Sequence, residues 1–89
     1  MARFEVPQPH GSVFAAMGTS ADALYELGLM YAAGRDVGVD LVAAHKWLNI
    51  AAFRGNIDAR RMRGEIAAEM SRDEIIEAQK QARAWVTMH

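Results

Sequence analysis

The pattern of apolar and polar positions changes near residue 20. Residues 1–20 contain both prolines and show no helical period, so they predict an irregular segment with at most a short turn capped by Ser12. From residue 21 onward, apolar residues follow the i, i+3, i+4, i+7 spacing of one helix face, as in Leu24, Leu27, Gly28 and Tyr31. This pattern predicts a first helix over about 21–33.

Glycines and capping residues divide the next part of the chain into two more helices. The loop 34–40 contains two glycines that permit positive φ, and it ends in Asp40, which can cap a second helix over about 41–54. A Gly-Asn turn ends that helix. A third helix, with a weaker apolar stripe among arginines, is expected over about 57–69.

A fourth helix has the clearest start signal. Ser71 and Glu74 form a capping box, with Ser at the cap and Glu three residues later, and the helical period then continues to near the end of the chain. Short loops between consecutive helices favour antiparallel neighbours. The sequence therefore predicts an all-α domain of two antiparallel helical hairpins over 21–89, after an irregular N-terminal segment over 1–20.

The chain resembles itself at a shift of 36 residues. This shift aligns Ala23 with Ala59 and Gly28 with Gly64. We expect small residues at these positions to let helices approach closely, as in helical solenoids, where each unit buries its apolar face against the next. The larger side chains expected to fill the space between paired helices are Leu27, Tyr31 and Trp47.

The repeated unit is similar to that of a known family. It consists of Ala23-x-x-x-Leu27-Gly28-x-x-Tyr31-x-x-Gly34 and then Val37-x-x-Asp40-x-x-x-Ala44-x-x-Trp47-x-x-x-Ala51-Ala52-x-x-Gly55-x-x-x-Ala59. This unit resembles one complete Sel1-like repeat, a relative of the tetratricopeptide repeat. The resemblance implies a short α/α solenoid with a degenerate second repeat and a C-terminal capping helix. The family usually has glycine where this chain has Asp36, so we expect Gly38 to form the bend.

The same resemblance implies a non-enzymatic adaptor that binds another protein. In helical-repeat solenoids the first helix of each hairpin lines the concave surface, or else a partner binds an open end of the stack. The candidate binding residues on this first-helix surface are Asp22, Tyr25, Leu29, Asp58, Arg61 and Glu65. Tyr25 is equally well explained as a core residue. Together these side chains would form a mixed apolar and charged groove suited to a peptide.

Two alternative functions remain open at this point. The first is a homo-oligomeric structural module, because the N-terminal segment carries apolar residues that can cover a solenoid end in cis or on a neighbouring copy: Phe4, Val6, Val13 and Phe14. The second is a β-lactam-binding or hydrolase-type protein, by analogy with some Sel1-like proteins. Those relatives are secreted and rich in cysteine, whereas this chain has no cysteine.

Charge argues against nucleic acid as the partner. Ten Lys and Arg residues against eleven Asp and Glu residues give a formal net charge of −1, so the chain as a whole does not attract phosphate. A local basic cluster does occur, formed by Arg54, Arg60, Arg61 and Arg63. We expect it to bind an acidic peptide or to pair with Glu65 and Glu69 within the chain, since no aromatic platform for bases lies among the arginines.

No motif in the sequence predicts catalysis, a metal or a cofactor. The three histidines, His10, His45 and His89, lack metal-ligand spacing and are expected to be exposed or incidental. The acidic clusters suit exposed helix faces and a first helical turn. No run of residues is apolar enough for a signal peptide or a membrane span, which predicts a cytoplasmic protein with no membrane contact.

Overall fold

The computed structural model describes residues 20–88, which form four α-helices and no strand. The helices are α1 (Ala21–Ala33), α2 (Leu41–Phe53), α3 (Ile57–Ala67) and α4 (Arg72–Met88). The predicted all-α class and the position of every helix are confirmed, with α3 ending two residues earlier than expected. The predictions for Phe4, Val6, His10, Ser12, Val13, Phe14 and His89 concern positions outside the described residues.

Local capping explains why the helices begin where they do. The side chains of Ser20, Asp40 and Asn56 each accept a hydrogen bond from the backbone N–H three residues later, at 3.0, 3.0 and 2.8 Å. The predicted capping box of α4 is also present. Glu74 N–H donates to the Ser71 hydroxyl at 3.1 Å, and Ser71 N–H donates to the Glu74 carboxylate at 2.8 Å.

The loop between α1 and α2 turns at different residues from those expected. Gly34 has a φ of 73° and its N–H donates to the Met30 carbonyl, so it ends α1 as predicted. The second left-handed residue is Asp36, with a φ of 67°, and Gly38 is not among the positive-φ residues. The prediction that Gly38 forms the bend is therefore wrong, because an aspartate side chain tolerates the left-handed region that was assigned to glycine alone.

Helix α2 lies at the centre of the described structure and contacts the three other helices. Its most extensive contact is with α1, and the Asn56 amide donates to the Asp22 carboxylate at 2.9 Å. This bond places the start of α1 beside the end of α2, so the two helices run antiparallel. Helices α3 and α4 each pack against α2 and make few contacts with each other. The second hairpin of the predicted solenoid, formed by α3 and α4, therefore stays a prediction.

The core is built from a few large side chains and many small ones. The largest fully buried side chains are Leu24 of α1 and Leu48 and Ile50 of α2. Leu27 and Tyr31, which were expected to fill the hairpin, are only half-buried. Five alanines are also buried in the core, and they are Ala44, Ala51, Ala59, Ala78 and Ala82.

The two repeat-related glycines have different surroundings. A Cβ atom added to Gly28 would lie 2.7 Å from Leu48 Cγ, so this glycine does allow α1 to approach α2 closely. A Cβ atom on Gly64 would meet nothing within 4 Å. The expectation that Gly64 lies at a close helix contact is therefore wrong, because that side of α3 is exposed.

Aromatic rings join α4 to α2. Trp47 and Trp85 meet edge to face, with ring centroids 5.6 Å apart and planes 82° apart. Lys46 Nζ lies 4.3 Å from the centroid of the Trp47 ring, and Arg54 Cζ lies 5.1 Å from that of Trp85. Trp47 thus packs against the core as expected, but its ring contact is with α4.

Candidate functional site

The predicted first-helix surface is only partly available for a partner. Asp22 accepts the hydrogen bond from Asn56, and Arg61 pairs with Asp58 of the same helix at 3.5 Å. Tyr25 is half-buried and packs against the core, which is the alternative that the sequence left open. Side chains on this surface therefore engage one another or the core.

The remaining two predicted binding residues lie on different helices. Leu29 on α1 is half-buried, and Glu65 on α3 is exposed. Helices α1 and α3 approach each other only slightly. The Asn56–Asp22 hydrogen bond is the link between the start of α1 and the start of α3, near Asp58. The six predicted residues thus lie on two helices that make few contacts with each other, and their role in binding stays a prediction.

An apolar groove lies instead between α2 and α4. Its volume is about 280 Å³, and its lining residues are Asn49, Ile50, Phe53, Ala82, Arg83, Val86 and Thr87. Phe53, the last residue of α2, is 77% exposed at the groove. Ile57, at the start of α3, is 86% exposed. We call the seven lining residues the α2–α4 groove.

This groove was missed by sequence reasoning because its two sides come from helices that are distant in the chain. A signal was nevertheless present. Ile50 and Phe53 continue the apolar pattern of α2 to its last residue, while Ala82 and Val86 are spaced by four on α4. Only the packing of α4 on α2, through Trp47 and other side chains, brings these pairs together.

The one ionisable side chain among the seven lining residues, Arg83, is basic. Helix α2 carries no Asp or Glu, and the last acidic residue of α4 is Glu77. Arg83 lines the groove. Arg63 of α3 donates a hydrogen bond through Nη1 to Oδ1 of Asn49, which also lines it. One positive charge therefore lies among the lining residues, and a second lies beside Asn49.

His45 is the one buried polar residue in the described part of the chain, with 3% of its surface exposed. The expectation of an exposed histidine is wrong for His45, because α2 is contacted by three helices and has few solvent-facing positions. Its Nδ1 finds no hydrogen-bond partner among residues 20–88. Burial lowers the pKa of His45, and the nearby charge of Arg63 lowers that pKa further, so the neutral imidazole is favoured.

Three of the four arginines in the predicted basic cluster make separate contacts in the structure. Arg54 lies against the ring of Trp85, Arg61 pairs with Asp58, and Arg63 bonds to Asn49. These arginines thus serve three different contacts. The predicted pairing with Glu65 and Glu69 is not among the ion pairs seen within residues 20–88, and both glutamates are exposed.

No group of three or more His, Asp or Glu side chains in residues 20–88 is arranged to hold a metal ion. None of the four helices combines the length and apolar character needed to cross a membrane.

Comparison with known proteins adds no relative. No family model matches the chain, no curated protein matches it, and no solved structure matches it.

Proposed function

We propose that this chain is a non-enzymatic protein-interaction module that binds a partner protein through the α2–α4 groove. The observation that carries this proposal is Phe53, a large apolar side chain left 77% exposed beside a groove of about 280 Å³. Exposed apolar surface bordered by polar residues is typical of protein-binding sites. Arg83, Asn49 and Thr87 supply such a polar border here.

The first-helix surface is a second candidate for the binding site. Leu29 is its most informative residue, because it is apolar, half-buried and lies on α1, far along the chain from the groove. Leu29→Glu should abolish partner binding if this surface is used, and should leave binding unchanged if the α2–α4 groove is used. Circular dichroism and thermal melting of the variant establish that it is folded.

We also propose that the described helices comprise one complete and one degenerate Sel1-like repeat. Support comes from the sequence spacing together with the close approach of Gly28 to Leu48, which is the role that the repeat gives to its small residues. Proteins with such repeats act mainly as scaffolds, in agreement with a binding function.

The binding function is tested by a matched pair of variants. Phe53→Gln removes the exposed aromatic ring at the groove, whereas Ile76→Gln removes an apolar side chain that is 50% exposed elsewhere on the surface. Affinity purification from the native host, with quantitative mass spectrometry, should recover a partner with the wild-type chain and with Ile76→Gln but not with Phe53→Gln. Equal recovery by all three chains would exclude the groove as the binding surface.

Self-association is the second candidate function, and the exposure of both Phe53 and Ile57 favours it. Two copies can cover such residues by packing the same surface against itself. Light scattering over a range of protein concentrations separates the two functions. A strict monomer excludes the structural module, and a dimer that Phe53→Gln converts to a monomer supports it.

A further inference from the structure

We propose that the α2–α4 groove binds an amphipathic segment of a partner protein in which a bulky apolar side chain is flanked by acidic residues. This inference rests on the proposed protein-binding function and adds the chemistry of the partner. Two properties of the groove carry it, namely its apolar floor and the sign of the charge at its rim.

The floor of the groove has room for a large apolar side chain. Its volume of about 280 Å³ is roughly twice the ~150 Å³ of a protein cavity that holds benzene. Ile50, Ala82 and Val86 supply apolar lining, and Phe53 offers an exposed aromatic ring. A bulky apolar anchor entering this space would remove its own surface and that of Phe53 from water.

The rim of the groove carries positive charge of a kind that binds carboxylates. Arg83 lines the groove, and Arg63 donates a hydrogen bond to Asn49 of the lining. Guanidinium groups form strong, often bidentate hydrogen bonds with carboxylates. Acidic residues beside the apolar anchor of a partner would therefore meet arginines rather than other acids.

The basic character is local and not a property of the whole chain. The formal net charge is −1, yet α2 carries no acidic residue and neither does α4 after Glu77. The acids of α4 lie in its first two turns, away from the lining residues at positions 82–87. Such local complementarity selects a partner by the sign of its charge and speeds its association.

The probe for this inference is a pair of designed peptides. Each has about 18 residues, long enough to form a helix, with Leu at i, i+3, i+4 and i+7 positions. One peptide carries Glu at the remaining positions and the other carries Lys. Fluorescence anisotropy of the labelled peptides measures their affinity for the full chain at low and high salt.

We expect the Glu peptide to bind at least about tenfold more tightly than the Lys peptide at low salt, with the difference shrinking as salt screens the charges. Phe53→Gln should weaken binding of the Glu peptide about tenfold or more, and Ile76→Gln should not change it. Arg83→Glu should also weaken binding. Arg72→Glu is its control, since it makes the same charge change on α4 outside the groove.

Other results would overturn the inference in distinguishable ways. If both peptides bind equally and Phe53→Gln abolishes both, the acidic preference is wrong while the protein-binding function stands. If neither peptide binds, the partner chemistry is wrong, and the function then depends on the partner recovery described above. If the wild-type chain forms a dimer and Phe53→Gln dissociates it, a second copy of the chain is the occupant of the groove. If Phe4→Gln binds the peptide more tightly than the wild-type chain does, the first residues of the chain itself are the occupant of the groove.

Discussion

Gly28 and Gly64 occupy equivalent positions of the 36-residue repeat, yet only Gly28 is required by packing. A Cβ atom at Gly28 would lie 2.7 Å from Cγ and 2.8 Å from Cδ2 of Leu48, and 3.3 Å from the Ala44 carbonyl oxygen. Leu48 is fully buried and cannot move away without disturbing the core. The space around Gly64 is open.

The two glycines should therefore respond in opposite ways to alanine. Gly28→Ala should lower the free energy of unfolding by about 1–3 kcal/mol, because the added methyl group overpacks the contact between α1 and α2. Gly64→Ala should raise it by up to about 1 kcal/mol, since alanine is the better helix former. Chemical denaturation of both variants measures these changes, and destabilisation of both by the same amount would show that α3 is packed more closely than described.

His45 makes stability depend on pH. Burial and the charge of Arg63 lower its pKa below the ordinary value of 6.5, so the folded protein holds it neutral where the unfolded chain binds a proton. The contribution of neutral His45 to the free energy of unfolding is therefore fully present above pH 6.5. This contribution is lost as the pH falls toward the folded-state pKa. Denaturation midpoints should be constant between pH 7 and 8 and should decrease from pH 6.5 downward.

The control for this pH dependence is His45→Leu, which has no titratable group at the buried position. It should remove the decrease in the window just below pH 6.5, whatever its effect on stability at neutral pH. If the wild-type and His45→Leu proteins lose stability in parallel over that window, another group is responsible.

The start of α4 depends on the reciprocal bonds between Ser71 and Glu74. Ser71→Ala removes the hydroxyl that accepts from Glu74 N–H, and should cost about 0.5–2 kcal/mol of stability. Ser71→Asp, which retains an acceptor at the cap, should recover most of that loss. Thermal melts of the two variants test this, and identical melting temperatures would show that the capping box does not stabilise α4.

Helix α4 is attached to α2 in part by the edge-to-face contact of Trp47 and Trp85. A double-mutant cycle with Trp47→Leu and Trp85→Leu should give a coupling energy of about 0.5–1.5 kcal/mol. This coupling is specific to the ring contact, because each leucine variant retains apolar volume. A coupling energy near zero would mean that the two rings stabilise the structure independently.

Sequence predicts these helices well and their packing less well, for a physical reason. Helix ends are set by local bonds such as the Asp40 cap and the Ser71–Glu74 box, which are visible as short motifs. The groove instead requires α4 to lie against α2, and this depends on side chains distant in the chain, such as Trp47 and Trp85. Local spacing carries little information about such contacts.

For the candidate binding residues too, the sequence predicts the helix on which each residue lies but not the contacts that its side chain makes. Alignment of the repeat assigns Asp22 and Arg61 to the first-helix surface, but it cannot show that Asp22 accepts a bond from Asn56 or that Arg61 pairs with Asp58. The Asn56–Asp22 bond joins residues 34 positions apart in the chain, and the Asp58–Arg61 pair lies within one helix turn. They reduce what the first-helix surface offers to a partner.

For the whole molecule, the central position of α2 has two consequences. It buries Leu48, Ile50 and His45 among three neighbouring helices, which concentrates the core in one element. It also leaves the C-terminal end of α2, with Phe53, exposed beside α4. The helix that holds the fold together thus supplies one wall of the α2–α4 groove.

The central claim is that a partner protein binds the α2–α4 groove. Titration of isotopically labelled full chain with the Leu/Glu peptide, followed by heteronuclear NMR, tests this residue by residue. We expect the largest chemical-shift changes at Ile50, Phe53, Ala82 and Val86, with little change at Tyr25, Leu29 and Glu65. Shifts centred on Tyr25, Leu29 and Glu65 would show that the peptide binds the first-helix surface and would contradict the α2–α4 groove as the binding site.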